Sequence, residues 1–166
     1  MCNLQQKELI QDWKKKAKEG SANALFNLGF AYYRGIHVEQ NYNEAYKYFE
    51  AAAEKNHSGA QYHMALYYDL GILGEQDFAK AVEWYKKAAS ANQVNAQCNL
   101  GICYLDGEGT EKSLQNAIYW LEKSAEQGNV QAIQLLLECY EGNNGCKEDS
   151  QQVNKWKAIL KKETEE

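Results

Sequence analysis

Apolar residues recur along this chain with helical spacing, and the whole pattern itself returns at a fixed interval. The stretch ALFNLGFAYYRG at 24–35 comes back as AQYHMALYYDLG at 60–71 and AQCNLGICYLDG at 96–107. A worn copy, AIQLLLECYEGN, covers 132–143, so the copies start at 24, 60, 96 and 132, a constant step of 36 residues. Such a period marks a helical array in place of a single folded core, because each unit can bury its apolar face only against its neighbours. Within a copy, Ala24, Leu28 and Tyr32 lie four apart, as do Ala60, Met64 and Tyr68, Ala96, Leu100 and Tyr104, and Ala132, Leu136 and Tyr140. Four-residue steps trace one face of a helix. Beside them run Gly29, Ala65 and Gly101, small residues that predict a close helix crossing, since an interior glycine otherwise costs about 1 kcal/mol against alanine.

The punctuation repeats as well. Gly35, Gly71, Gly107 and Asn143 are expected to close a first helix, and Gly20, Asn56, Asn92 and Gly128 a second. These residue types accept the left-handed backbone at a helix C-terminus. Asn41, Asp77, Ser113 and Asp149 precede the second helix, and each can offer a side-chain oxygen to an orphan amide. Asn41 with Glu44, and Asp149 with Gln152, have the spacing of capping boxes. The second helix carries Ala45, Ala81, Ala117 and Val153, then the aromatic column Tyr48, Trp84, Trp120 and Trp156. Residues 3–19, with Leu9, Trp13 and Ala17, read as a lone second helix stopped at Gly20. The expectation is an all-α chain of about nine helices, four helix–loop–helix repeats behind an N-terminal capping helix. The absence of proline agrees with uninterrupted helices.

Charge and composition narrow the function. The net charge is −5, with 17 Lys and a single Arg, Arg34, which argues against nucleic-acid binding. The lysine-rich run WKKKAKEG reads as a solvated helix face. No apolar run approaches the roughly 20 residues needed to cross a bilayer, so no membrane insertion is expected. The start MCNLQQKELIQDW lacks a signal-like apolar stretch, and the chain reads as cytoplasmic. Cys2 leaves a periplasmic or lipid-anchored alternative, should a signal have preceded it. The five cysteines form no CxxC pair and read as reduced thiols. Cys103 and Cys139 share a column, but helices 8–10 Å apart exceed the reach of a disulfide.

Little in the sequence suggests chemistry. His37, His57 and His63 fall in a loop, a turn and a helix, with no metal-ligand spacing, so no metal and no cofactor is expected. The GEG at 107–109 follows a helix, where ending that helix is its role. No nucleophile–base motif is present.

The pattern A-x-x-x-L-G-x-x-Y-x-x-G, a long loop, then D-x-x-K-A-x-x-W-Y-x-K-A-A-x-x-G/N resembles the Sel-1-like repeat family, relatives of tetratricopeptide repeats. DFAKAVEWYKKAASAN at 77–92 carries it most clearly. The chain departs from the family in lacking its loop proline and in having Leu137 where a small residue is usual. The resemblance implies a right-handed α–α superhelix, a single solenoid domain over 1–166. Its parts would be a half-repeat at 3–20 and repeats at 22–57, 58–93, 94–129 and 130–162. It also implies a non-enzymatic module that binds a protein or peptide on a concave face lined by first helices. On that surface we expect Phe30, Tyr33 and Arg34 from the first repeat, and Tyr62, Leu66, Asp69 and Leu70 from the second. Ile102, Leu105 and Asp106 come from the third. An immunity-type inhibitor that caps a cognate effector enzyme is the alternative within binding. A hydrolase of cell-wall or β-lactam substrates is a third reading, by analogy with a cysteine-rich subgroup for which penicillin binding has been proposed. That subgroup has a regular cysteine pair in each repeat, which this chain lacks.

Overall fold

The computed structural model describes residues 2–143 and 147–165, with side chains placed over 6–143 and 147–164. Its helices are α1 Cys2–Lys18, α2 Ala22–Arg34, α3 Tyr42–Glu54, α4 Ser58–Asp69, α5 Phe78–Ser90, α6 Val94–Asp106, α7 Leu114–Ala125, α8 Val130–Tyr140 and α9 Ser150–Glu165. Among the described residues these nine helices occur with no strand, so the all-α expectation holds. α1 is the lone leading helix, and α2–α3, α4–α5, α6–α7 and α8–α9 are the four helix–loop–helix repeats. The chain divides into two compact units, Met1–Lys87 and Ala88–Glu166.

Every repeat closes its internal loop at the same atom. The backbone N–H of Asn41 donates to the Tyr32 carbonyl, Asp77 to Tyr68, Ser113 to Tyr104 and Asp149 to Tyr140, each at 2.9 Å. The side chains of the same four residues then cap the second helix. They accept from the N–H of Glu44 at 3.0 Å, Lys80 at 3.0 Å, Asn116 at 3.4 Å and Gln152 at 3.1 Å. Two loops gain a further clamp, where the Gln40 and Gln76 amides donate to the carbonyls of Tyr33 and Asp69 at 2.9 and 2.8 Å. The bond holds the spacing from tyrosine to cap at nine residues in every repeat (32 to 41, 68 to 77, 104 to 113, 140 to 149).

A second cap column was not legible in the sequence. Ser21, His57, Gln93 and Asn129 accept from the N–H of Ala24, Ala60, Ala96 and Ala132 at the start of α2, α4, α6 and α8. Histidine and glutamine are uncommon caps, which hid the column. The stops at Gly20, Asn56, Asn92 and Gly128 all have positive φ, as do Gly35, Gly71 and Gly107. In the fourth repeat Gly142, at φ 90°, takes the left-handed position expected of Asn143. Glycine reaches that conformation without a Cβ clash.

The core confirms the close crossings. A Cβ on Gly29 would lie 2.7 Å from the Phe49 ring, and one on Gly101 2.7 Å from Leu121. Phe49, Tyr85 and Leu121 are fully buried, and they sit one position after the aromatic column read from the sequence. Tyr48, Trp84 and Trp120 are only half-buried. Tyr48 stacks on Tyr32 with centroids 5.7 Å apart, and the Lys87 ammonium sits 3.8 Å from the Trp84 ring centre. In the last repeat the facing residue has grown to Leu137, and the buried ring moves one place back, to Trp156 at 0% exposure. Gln61 and Gln97, both buried, reach back to the carbonyls of Ala53 and Ala89 at 3.4 and 3.2 Å, tying each first helix to the helix before it. Cys98, Cys103 and Cys139 are thiols, while Cys146 and the Cys2 side chain lie outside the described residues.

Candidate partner-binding surface

Which side of a first helix faces outward follows from the glycine column. Gly29 and Gly101 touch the second helix of their own repeat, so positions four residues later turn the same way. Those positions are Tyr33 and Leu105. Accordingly Leu105, expected on the exposed face, is buried at 6% exposure within the core of the second unit. Tyr33 and Asp69, in the same column, are half-buried. The stripe one position later remains outward: Arg34, Leu70 and Asp106 are all exposed.

In the first unit, α2 and α4 carry an aromatic bed. Its centre is His63, stacked on Phe49 at 4.4 Å with the rings 1° from parallel. Phe26, Phe30, Tyr33 and Tyr62 surround it at centroid distances of 5.3–5.9 Å. Its Nδ1 is buried without a hydrogen-bond partner, and burial lowers its pKa from 6.5 to about 4. The ring is therefore neutral at physiological pH. This packing role was not visible in the sequence, where His63 stood alone. Phe26 is equally structural, stacked on His57 at 4.4 Å. Tyr33 packs edge-on against Tyr42 at 5.6 Å and Phe49 at 6.2 Å. Asp69 accepts the Tyr85 hydroxyl at 2.8 Å, which occupies one carboxylate oxygen.

On this bed stand the side chains that reach solvent. Phe30 is 38% exposed and Leu70 58% exposed, both large apolar groups. Leu66 and Tyr62 of α4 are half-buried, and Arg34 is exposed at the end of α2. Leu73, in the α4–α5 loop, adds an apolar side chain at 45% exposure that the sequence reading missed. It borders a cavity of about 240 Å³ shared with Tyr46, Tyr67, Tyr68 and Glu75. The Tyr46 and Tyr68 hydroxyls are 3.0 Å apart there, and burial raises the Tyr46 pKa, which keeps that phenol a protonated hydrogen-bonding group.

In the second unit the corresponding face is sparser. Ile102 is half-buried against the core and Asp106 is exposed, while Cys98 is buried at 1%. Gln131, Gln134 and Glu138 of α8 are exposed. Among the described residues no three His, Cys, Asp or Glu side chains group so as to hold a metal ion, and no helix is long and apolar enough to cross a membrane.

The family model for the Sel1 repeat matches residues 22–57, 58–93 and 94–129. These boundaries coincide with the first three repeats, and the fourth lies outside the match. A solved protective antigen of uropathogenic Escherichia coli with an SLR fold is 32% identical with a TM-score of 0.86, covering 92% of this chain and 33% of its own. A Sel1 repeat protein of Oxalobacter formigenes is 31% identical with a TM-score of 0.84, covering 93% of this chain and 63% of its own. This chain thus spans a third of one neighbour and under two thirds of the other. Helicobacter pylori cysteine-rich protein B, at 22% identity and a TM-score of 0.62, shares the fold. Comparison with curated proteins gave no match.

Proposed function

The chain belongs to the Sel1 repeat family, whose members are generally protein-interaction modules, and from that premise we propose that the α2–α4 face binds an apolar segment of a partner protein. The observation that carries this is the exposure of Phe30 on a bed of locked aromatic rings, together with that of Leu70 at the end of α4. Large apolar side chains held rigidly at a surface lose little conformational entropy on binding, which is what interface anchors require. Leu66, half-buried on α4, adds apolar surface, and Arg34, exposed at the end of α2, supplies a charged, planar group suited to a carboxylate or backbone carbonyls. A short amphipathic helix or extended peptide of neutral or mixed charge fits such a strip. Because the bed is packed already, binding proceeds with side-chain adjustment only.

The test compares wild type with Phe30→Asp/Leu70→Asp. Partners captured from native lysate are identified by mass spectrometry, and one is then measured with purified components. The double variant, with helical content unchanged by circular dichroism, is expected to weaken binding at least tenfold. Equal affinity for both proteins would remove the strip from the interface.

A further inference from the structure

We infer that a trough between α1, α2 and α3, away from the strip of Phe30 and Leu70, is a second docking site whose occupant is an acidic peptide segment bearing one apolar side chain. The trough has a volume of about 550 Å³, within the range of ligand-binding pockets. Its floor is apolar, made by Leu25, Leu28 and the half-buried Tyr48. Its rim is a single stripe of α1, Gln11, Lys14, Lys15 and Lys18, with the spacing of one helix face. A fourth ammonium, Lys55, lies 3.7 Å from where a Gly20 side chain would begin, at the end of the same helix.

No carboxylate lines the trough. The ion pair of α1 joins Lys16 to Asp12 at 2.7 Å, and neither residue is part of the lining. Like charges one turn apart on a helix repel. The helix dipole offsets this for Lys15 and Lys18 in the last turn, but not for Lys14, and it does not account for an apolar floor beneath the charges. In a protein of net charge −5, a lysine cluster on a lining free of carboxylates is complementary to an anionic partner.

The shape selects among anions. Leu28 is fully buried and Leu25 is 8% exposed, so the apolar surface within reach is that of the half-buried Ala17 and Tyr48, beside the lysine stripe. A side chain can descend to it while flanking carboxylates stay at the rim, whereas a bilayer surface cannot. Nucleic-acid recognition favours arginine and an extended basic face, and the chain has one Arg, on another helix. This site does not depend on the reading of the α2–α4 strip.

The probe is a fluorescein-labelled helical peptide with a Glu-Glu-Leu-Glu-Glu core, titrated with the whole protein at low and high salt. We expect saturable binding that weakens at least tenfold in Lys14→Glu/Lys18→Glu and about threefold in Lys14→Gln/Lys18→Gln. It should also weaken when the central Leu becomes Gln, and in 300 mM salt. The glutamine variant, which keeps the length and polarity of both side chains, guards against loss of fold, and Phe30→Asp/Leu70→Asp should bind the probe as wild type does. Absence of binding, or binding indifferent to both lysine variants, overturns the inference. So does stronger binding to phosphatidylserine vesicles or to a single-stranded oligonucleotide than to the peptide.

Discussion

Gly29 shows how little room separates two helices of one repeat. Alanine there gains about 1 kcal/mol of helix propensity, but its methyl group would meet the Phe49 ring at 2.7 Å. Phe49 is fully buried and cannot yield, so overpacking at about 1–3 kcal/mol decides the sign. Gly29→Ala is expected to lower the urea midpoint, whereas Gly74→Ala, with nothing within 4 Å, should leave it nearly unchanged. A stable Gly29→Ala would mean that the crossing relaxes. His63 makes a second prediction at this scale. Its folded pKa of about 4 lies below the unfolded 6.5, so the unfolded chain binds more protons between those values. Stability is therefore full above pH 6.5 and lost progressively as pH falls towards 4, by up to roughly 3 kcal/mol. His57 acts in the same direction, because burial lowers its pKa and its Nδ1 must stay unprotonated to accept the Ala60 N–H. His63→Phe should flatten most of the slope in urea midpoints measured from pH 7 to 4.5; an unchanged slope would assign it to other groups.

At the scale of the helix, each end is fixed by one residue whose loss has a defined cost. Asn41→Ala removes the side-chain acceptor for the Glu44 N–H but keeps the backbone bond to Tyr32. About 1 kcal/mol of stability is expected to go, with no change in helical content at low temperature. Full retention of thermal stability would show that water replaces the cap. The caps were legible in the sequence because Asn, Asp and Ser at a constant step have few other uses. The buried second-helix column was not. Phe49, Tyr85 and Leu121 are chemically unlike, whereas Tyr48, Trp84 and Trp120 form a conspicuous set and drew the assignment one position off. The candidate surface suffered the same error. Leu105 and Tyr33 resemble exposed contacts until the glycine column shows which way the helix is turned. Arg34, Leu70 and Asp106, one residue further round, are the positions that reach solvent.

Across the molecule, the two units reach a packed core with different materials. The first relies on ring-on-ring contacts around His63, and the second on Leu121, Ile133, Leu136 and Leu137 closed by Trp156. In the second, burial pushes the Cys98 thiol up to about 11. Iodoacetamide at pH 8 should leave Cys98 unmodified by mass spectrometry until denaturant is added, since the thiolate is the reactive form. Rapid labelling in buffer would place that side chain at the surface. The loop closure onto Tyr32, Tyr68, Tyr104 and Tyr140 has a wider consequence. Donor and acceptor of each clasp lie within a single period, so a tandem duplication of 36 residues, wherever it starts, restores one complete clasp for every turn of the array. An insertion inside the nine-residue span from tyrosine to cap would instead part a carbonyl from its amide. The array can thus grow by whole periods without new invention, and the residues inside each clasp are free to diverge while its geometry stays constant.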